Sequence, residues 1–469
     1  MTVEPPGSWA LLVAREHRGA MAVLAGGTLM FAVDTYITAS LMPSAIAEIG
    51  GEAFYAWPTT IFLLAAVVTS ALVSRVLATV PAARAYLVAL AVFAAGALVG
   101  ALAGSMAVFL GGRLLQGVGG GLLAGMGYAL IRVSLPRTLW TRGSAVIATM
   151  WGVALVVGPG LGGVLAGAGH WRWAFGALVA AALLIAAIVP SALHRTRARI
   201  APGPFPLGSV LYVGAAAAVL SVAGLAADVR VAGAGLLAAV VLIVLFLRHE
   251  RRTAAAVLPR ATFRPGSALR WIYGLSAVLV GVAALEAFVP LIGQRVAGLA
   301  PVAAGFLGVA LGAGWVGGEV VSASARRPRV RVLVGPALLA GGTVLVAVTL
   351  LALDGPVAAL LWAAGLVAGG IGIGTAWPHL AAAAIGGADD GTGADATPDE
   401  SEADKASAAV TTVQMLATSV GTALGGASLA LGGTDPLASA QWLFATFAVV
   451  AVLGALASRP ASRGIPDRT

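Results

Sequence analysis

A few ionisable side chains lie inside long apolar stretches, and these are the residues that could do chemistry. Asp34 and Glu286 are acids in two such stretches, and Arg113 is a base in a third. A buried carboxyl group can bind and release a proton, whereas arginine stays charged and acts on its neighbours only through its field. We therefore predict that Asp34, Arg113 and Glu286 take part in proton coupling.

Each of these residues also has a purely structural interpretation. Asp34 could be permanently neutralised by a partner, and Arg113 could belong to a fixed ion pair. Glu286 lies toward the outer end of its stretch, where it could be a wetted acid, a second proton site or a contact for a cationic substrate. Glu319 is expected to reach the inner interface or to pair with Arg326.

The apolar stretches that hold these residues dominate the chain. It has 469 residues, of which 59% are hydrophobic and only 10% charged, with a mean hydropathy of +0.97. Such a composition cannot cover a water-facing surface, which excludes a soluble enzyme. A membrane-spanning helix needs about 20 apolar residues. We find fourteen runs of about that length, two of them forming a short hairpin that could also add no spans, which leaves twelve as the alternative.

The basic residues predict the orientation. Of the 28 Lys and Arg residues, all except Arg113, Arg172, Arg230 and Arg295 fall in segments that lie on one side if the N-terminus is cytoplasmic. This positive-inside bias predicts a multi-pass protein of the cytoplasmic membrane with both termini cytoplasmic. The net charge of +9 is therefore a topology signal, and we expect no nucleic-acid partner.

The loops divide the chain into three parts. Residues 1–195 are predicted to form an N-terminal bundle of six helices, and residues 266–469 a second one. Residues 196–265 form a basic linker with an inserted helical hairpin. The sequence thus predicts an all-α polytopic membrane protein with two six-helix bundles, an inserted hairpin and fourteen transmembrane helices in total.

Three strings are informative about the family. The first span reads VDTYITASLMPSAI with Pro43, the fourth reads GGRLLQGVGGG with Gly117, and the fifth reads GVALVVGPGLGG with Gly158, Pro159, Gly162 and Gly163. The chain resembles the major facilitator superfamily, and within it the fourteen-span drug:proton antiporter group. The resemblance implies the major-facilitator fold with alternating access, a proton carrier at Asp34, and export, with which the fifth-span string is associated.

One motif of that family is degraded here. The loop from Ser74 to Arg84 has Ala78 where the family has an aspartate and Pro81 where it has a glycine. In the family this loop holds the two halves in one conformation. We therefore expect a different gate or a shifted balance between inward-facing and outward-facing states.

Aromatic and polar side chains in the spans are candidates for a substrate cavity. We predict a substrate-binding role for Tyr36, Gln116, Tyr128, Trp151, Phe288 and Trp377. An apolar, aromatic cavity suits hydrophobic or amphipathic small molecules better than sugars. His379 is expected to be a packed or interfacial residue, and the acidic segment 387–405 a solvated loop without a metal.

The predicted function is a proton-coupled exporter, an antiporter of hydrophobic or amphipathic small molecules. A lipid translocator or an uptake symporter on the same scaffold is the alternative, because the loop after span two is degraded. A membrane enzyme ranks last, since the five His residues are dispersed. We expect no cofactor, a proton gradient as the energy source, and a monomer whose partners are its substrate, protons and the bilayer.

Overall fold

The structure is a computed structural model that describes residues 9–136, 139–193, 206–223, 229–253, 255–322, 327–352, 355–386 and 400–465. Within these ranges all regular structure is helical. The main helices are α1 Arg18–Ile49, α2 Trp57–Ala71, α3 Ala82–Ala101, α4 Met106–Ala129, α5 Trp140–Gly167, α6 Arg172–Leu193, α7 Leu207–Ala223, α8 Val229–Glu250, α9 Leu269–Ala283, α10 Val289–Arg295, α11 Pro301–Gly308, α12 Ala310–Ser322, α13 Pro328–Ala352, α14 Gly355–Gly386, α15 Glu400–Ala430 and α16 Pro436–Ser462.

Shorter helices connect some of these. Residues Trp9–Leu12, Val73–Thr79 and Ile131–Ser134 form short α-helices, and Glu52–Phe54, Arg260–Phe263 and Ala284–Ala287 form 3₁₀ turns. The degraded loop motif therefore lies mostly in the Val73–Thr79 helix. Ala78, Pro81 and Arg84 are exposed there.

Twelve helical runs among the described residues are long and apolar enough to cross a membrane. Two more predicted spans correspond to shorter apolar helices, Leu207–Ala223 and Leu416–Ala430. A helix of 17 residues rises about 25 Å, which is slightly less than a hydrocarbon core of about 30 Å. The chain is thus a polytopic helical protein, and the count of fourteen spans with an inserted hairpin stays a prediction.

The chain divides into two compact units. Unit 1 contains Met1–Glu52 and Ile61–Phe205, and unit 2 contains Ala53–Thr60 and Pro206–Thr469. The hairpin helices α7 and α8 pack against each other and belong to unit 2. The boundary between the units falls inside α2, whose first residues belong to unit 2 and whose remainder belongs to unit 1.

In unit 1, α1 is the central helix and packs on α4, α5 and α6. Its C-terminal end is tied to the start of α6 by Glu48. The Trp171 indole nitrogen donates to Glu48 Oε2 at 2.6 Å, and Arg172 Nη1 lies 2.5 Å from Glu48 Oε1. Arg172 Nη2 also donates to the Ala103 carbonyl at 2.8 Å. These contacts hold α1, α6 and the chain that follows α3 together at one end of the unit.

In unit 2, α14 packs between α12 and α13 through glycines. A side chain at Gly314 would overlap the Val367 carbonyl, and one at Gly372 would overlap the Gly335 carbonyl. The hairpin is fastened by the buried Glu250, which accepts from the Ser209 hydroxyl and, at 2.7 Å, from the Leu258 backbone N–H. The hairpin and the chain that follows it are thus joined by one carboxylate.

Part of the acidic segment differs from the prediction of a solvated loop. Residues 387–399 lie outside the described residues, but Glu400 begins α15, and residues 400–405 are helical. Glu400, Glu402 and Asp404 belong to the first turns of this helix. Alternating small and charged residues hid this helix start from a reading based on apolar runs.

Candidate functional site

The strongest candidate site is a closed triangle of three buried polar side chains in unit 1. Arg113 Nη1 donates to Asp34 Oδ2 at 2.6 Å and to Gln116 Oε1 at 3.0 Å, and Gln116 Nε2 donates to Asp34 Oδ1 at 2.9 Å. Asp34 and Gln116 are 0% exposed and Arg113 is 1% exposed. Each carboxylate oxygen therefore has its own donor, and the ion pair is screened from solvent by protein.

An aromatic cluster covers the triangle. The Arg113 guanidinium carbon lies 4.2 Å from the centre of the Phe62 ring, a cation–π contact. Phe62 stacks on Phe31 with ring centres 5.1 Å apart, and Phe31 meets Trp151 edge-on at 5.9 Å. Arg113 thus contacts a carboxylate, an amide oxygen and a ring face.

The glycines of α4 explain why these side chains meet. A side chain at Gly117 would overlap the Phe62 carbonyl on α2, and one at Gly119 would overlap the Ala89 carbonyl on α3. A side chain at Gly96 on α3 would in turn overlap the Gly112 carbonyl. Because only hydrogen occupies these positions, α2 and α3 approach α4 closely and bring Phe62 over Arg113.

The fifth-span string packs on α1 just beyond Asp34. A side chain at Gly158 would overlap Tyr36, and one at Gly162 would lie 3.0 Å from the Ile37 carbonyl oxygen. Pro159 and Gly163 are buried in the same helix, and Pro43 is buried in α1. Gly158 and Gly162 therefore line the seam between α1 and α5.

The substrate candidates of unit 1 fall on three of its helices. Tyr36 and Trp151 are half-buried on α1 and α5, and Gln116 belongs to the triangle. Tyr128 lies on α4, with its side chain outside the described part of the structure. Trp151 is connected to the triangle through Phe31 and Phe62.

Glu286 lies in unit 2, where a transmembrane run is interrupted. The run Leu269–Arg295 consists of α9, a 3₁₀ turn at Ala284–Ala287, and α10. Pro290 has no N–H to donate to the Glu286 carbonyl, which accounts for the break in the α-helix. A side chain at Gly308 would lie 2.7 Å from Pro290 Cγ, so the next helix packs closely against this break.

The Glu286 carboxyl group is only partly satisfied. It accepts a hydrogen bond from the backbone N–H of Gly312, in the first turn of α12. Its Oε1 is buried and has no hydrogen-bond partner among the described residues. Because an unpaired carboxylate is costly to bury, this oxygen is suited to a proton or a positively charged group.

The other candidates of unit 2 lie just before α10, on α12 and on α14. Phe288 is fully buried beside Tyr55, with ring centres 5.7 Å apart, and Trp377 meets Trp315 at 5.7 Å. Glu319 is half-buried and hydrogen-bonded to the Trp315 side chain. Arg326, its predicted alternative partner, lies outside the described residues.

His379 is a packed residue in this structure. Ser322 Oγ donates to the Thr375 carbonyl at 2.7 Å and lies 2.9 Å from His379 Nε2. Because the hydroxyl proton is directed at the carbonyl, the histidine nitrogen is the donor to Ser322. No group of three or more acidic or histidine side chains among the described residues could hold a metal ion.

The structure thus brings together Asp34, Arg113 and Gln116, and it places Glu286 in the other unit. The sequence reading missed Phe62, which caps Arg113, and Tyr55, which hydrogen-bonds next to Glu286. Aromatic residues are frequent in the spans, so nothing local marks these two. The glycines beside Arg113 were the available signal, because glycines in a membrane-spanning helix indicate that another helix packs closely at that position.

The helical architecture has a counterpart among known proteins. Residues 24–394 match the Major Facilitator Superfamily. The chain belongs to the Major Facilitator Superfamily. It is therefore a multi-pass membrane transporter and not an enzyme.

Relatives within the superfamily cover almost the whole chain. A Mycobacterium tuberculosis H37Rv protein named "Probable multidrug-efflux transporter" is 43% identical over 475 residues, which cover 98% of each chain. A solved POT family transporter in complex with 5-aminolevulinic acid has a TM-score of 0.68 at 11% identity, covering 95% of this chain and 96% of that one. A D-xylose–proton symporter has a TM-score of 0.64 at 13% identity, covering 96% and 98%. The two solved structures establish the superfamily fold.

Proposed function

We propose that the protein is a proton-coupled exporter, an antiporter that moves hydrophobic or amphipathic small molecules by alternating access. The proposal places it as a monomer in the cytoplasmic membrane with both termini in the cytoplasm. It belongs in the fourteen-span drug:proton antiporter group, with α7 and α8 as the inserted hairpin. No cofactor is required, because the proton gradient supplies the energy.

The observation that carries the proposal is the Asp34–Arg113–Gln116 triangle. Asp34 is ionised in this arrangement, since it accepts hydrogen bonds on both oxygens. When Asp34 takes up a proton, Arg113 loses its counter-ion but keeps the Gln116 amide oxygen and the Phe62 ring. The triangle can thus lose its ion pair without leaving the guanidinium unpartnered.

Proton uptake would change the balance of forces in unit 1. The buried triangle is neutral overall with Asp34 ionised, and it carries one positive charge with Asp34 protonated. A buried net charge is costly in a low-dielectric site. This cost is a driving force toward a conformation in which the site is hydrated, which is what proton-coupled alternating access requires.

Two observations support an amphipathic substrate and export. The Phe62 ring lies against Arg113, and Phe31 and Trp151 extend the aromatic cluster from Phe62, so a charged group and an apolar surface are adjacent. The relative that is 43% identical is named as a multidrug-efflux transporter. An aromatic wall beside one charged cluster favours flat, apolar molecules over sugars.

The test is transport in proteoliposomes with an imposed pH gradient, using lipophilic dyes and fluorescent lipids as probes. We expect the wild-type protein to drive uphill dye transport that collapses when a protonophore dissipates the gradient. Asp34→Asn should abolish uphill transport while leaving the protein folded. Fluorescent lipid movement without dye movement would instead favour a lipid translocator.

Asp435→Asn is the matched control. Asp435 is an exposed acid that caps α16 by accepting from the Leu437 N–H at 2.9 Å, and asparagine caps a helix equally well. This variant should transport at the wild-type rate. Uphill transport by Asp34→Asn at the wild-type rate would contradict the proton-coupling role of Asp34.

A further inference from the structure

The segment Ala53–Thr60 is a structural part of unit 2, although it precedes helices of unit 1 in the chain. It is attached at three points. The Tyr55 hydroxyl donates to the Ala287 carbonyl at 3.2 Å, the Trp57 indole donates to the Ser221 carbonyl at 3.2 Å, and a side chain at Gly426 would lie 2.5 Å from Ala56 Cβ. None of the residues predicted for proton coupling, for substrate binding or for the structural motifs lies in this segment.

The Tyr55 contact falls on the interruption that holds Glu286. Ala287 is the last residue of the 3₁₀ turn Ala284–Ala287 and directly follows Glu286. The Tyr55 ring also packs against Phe288, and Phe288 in turn fills the space beside Gly425 on α15. Tyr55 is 7% exposed, so its hydroxyl is withdrawn from solvent. The last residue of the turn and the residue that follows it are thus held by one side chain.

We propose that Tyr55 is a positioning residue for the Glu286 carboxyl group. By holding the Ala287 carbonyl, it keeps the 3₁₀ turn in the conformation that points Glu286 at Gly312 and leaves Oε1 free. The inference rests on the proposed function, in which Glu286 takes part in proton coupling. Tyr55 is not among the residues predicted for proton coupling, and its role here is to orient the Glu286 side chain.

The physical argument is that this turn has few bonds of its own. Pro290 cannot donate to the Glu286 carbonyl, so the turn lacks one helical hydrogen bond. A 3₁₀ turn also has weaker hydrogen-bond geometry than an α-helix. A single buried hydrogen bond from outside the helix therefore has a large share in choosing the turn's conformation, and with it the direction of Glu286.

Few ionisable groups lie on the elements packed around Glu286. In sequence, α11 and residues 410–430 of α15 have none, and the segment 53–60 has only Tyr55. The others are Arg260 in the 3₁₀ turn before α9, Arg270 and Tyr273 on α9, Arg295 on α10, Glu319 on α12, His379 on α14, and Asp435 and Arg459 at the ends of α16. Because Tyr55→Phe changes none of these charges, a changed response of Glu286 to pH would report its position.

The experiment measures labelling of Glu286 by a hydrophobic carbodiimide, which reacts with protonated carboxyl groups, as a function of pH in proteoliposomes. Glu286→Gln defines the background. In Tyr55→Phe, loss of one buried hydrogen bond should change the labelling rate by about fivefold and move the midpoint of its pH profile by about half a unit. Trp57→Phe is the matched control, because it removes the bond to Ser221 and leaves the turn alone; its profile should match the wild type.

The outcomes separate this inference from the proposed function. A wild-type labelling profile in Tyr55→Phe would overturn the positioning role whatever the transport data show. Uphill transport by Asp34→Asn would overturn the proposed function and leave the labelling result standing. Phe288→Leu is a second variant that removes the ring beside Tyr55 and keeps the hydroxyl; it should change labelling in the same direction, and a wild-type profile there would also count against the role.

Discussion

At the scale of single residues, the buried triangle combines the two interpretations that the sequence left open for Asp34 and Arg113. The pair is a well-made ion pair, with an N–O distance of 2.6 Å. In the proposed function the ion pair is lost when Asp34 binds a proton, and Gln116 is hydrogen-bonded to both members of the pair. The amide acts as donor to one and acceptor to the other. Both interpretations, a structural ion pair and a proton-coupling pair, therefore depend on Gln116.

The corresponding prediction concerns Gln116→Met, which keeps the side-chain length and removes both hydrogen bonds. Asp34 Oδ1 would lose the Gln116 amide as its donor, and Arg113 would lose one acceptor. An unsatisfied buried polar group costs about 1–3 kcal/mol, so we expect the free energy of unfolding to fall by about that amount. Thermal unfolding in detergent would measure it.

Gln414→Met serves as the control for this substitution, since Gln414 is a half-buried glutamine on α15 in unit 2. Its melting temperature should stay close to that of the wild type. A melting curve of Gln116→Met that coincides with the control would mean that the amide does not support the ion pair.

At the scale of helices, glycines decide which elements approach each other. The glycines of α4, α5, α12 and α14 do not all serve this purpose, however. Gly158 contacts Tyr36 on α1, whereas a side chain at Gly152 or Gly160 in the same helix would meet nothing within 4 Å. Close packing is therefore a property of individual positions and their neighbours. Glycine content alone does not report it.

This difference gives a prediction within one helix. In Gly158→Ala the new methyl group would overlap Tyr36 and press α5 away from α1, which lowers stability and transport. Overpacking of this kind costs about 1–3 kcal/mol. Gly152→Ala has open space and gains helix propensity, so it should be as stable as the wild type or slightly more stable. Equal melting temperatures of the two variants would show that α5 does not pack closely against α1 at Gly158.

At the scale of the whole molecule, α2 is covalently shared by the two compact units. Trp57 at its start and Tyr55 just before it are hydrogen-bonded to residues of unit 2, and its remainder packs in unit 1, where Phe62 caps Arg113. The residues that flank the unit boundary thus contact the neighbours of Glu286 on one side and of Asp34 on the other. For this reason α2 is the helix whose position should be measured when the protein changes conformation.

The topology prediction also belongs to this scale, and the chain is well suited to test it because it has no cysteine. Fourteen spans require the turn between α7 and α8 to lie outside the cell. A single cysteine at Arg230→Cys should then react with a membrane-impermeant maleimide from outside, and one at Thr253→Cys only after permeabilisation. Protection of both sites in intact cells would show that the hairpin does not cross and that the count is twelve.

The sequence by itself determined the membrane class, the helical runs and the identity of the buried charges. Hydropathy is a local sum over about 20 residues, so it can be read without knowing what a helix contacts. The spacing of three between Arg113 and Gln116 also put them on one helix face from the start.

Only the tertiary structure decided which partners those charges have. Asp34 meets residues 79 and 82 positions away, and Tyr55 bonds to a carbonyl 232 positions away. Such contacts depend on how far each helix slides and rotates against its neighbour, which individual glycines and Pro290 set by contacts with other helices. The sequence lists those glycines without saying which of them meet another backbone. For that reason the charges were predictable, and their partners were not.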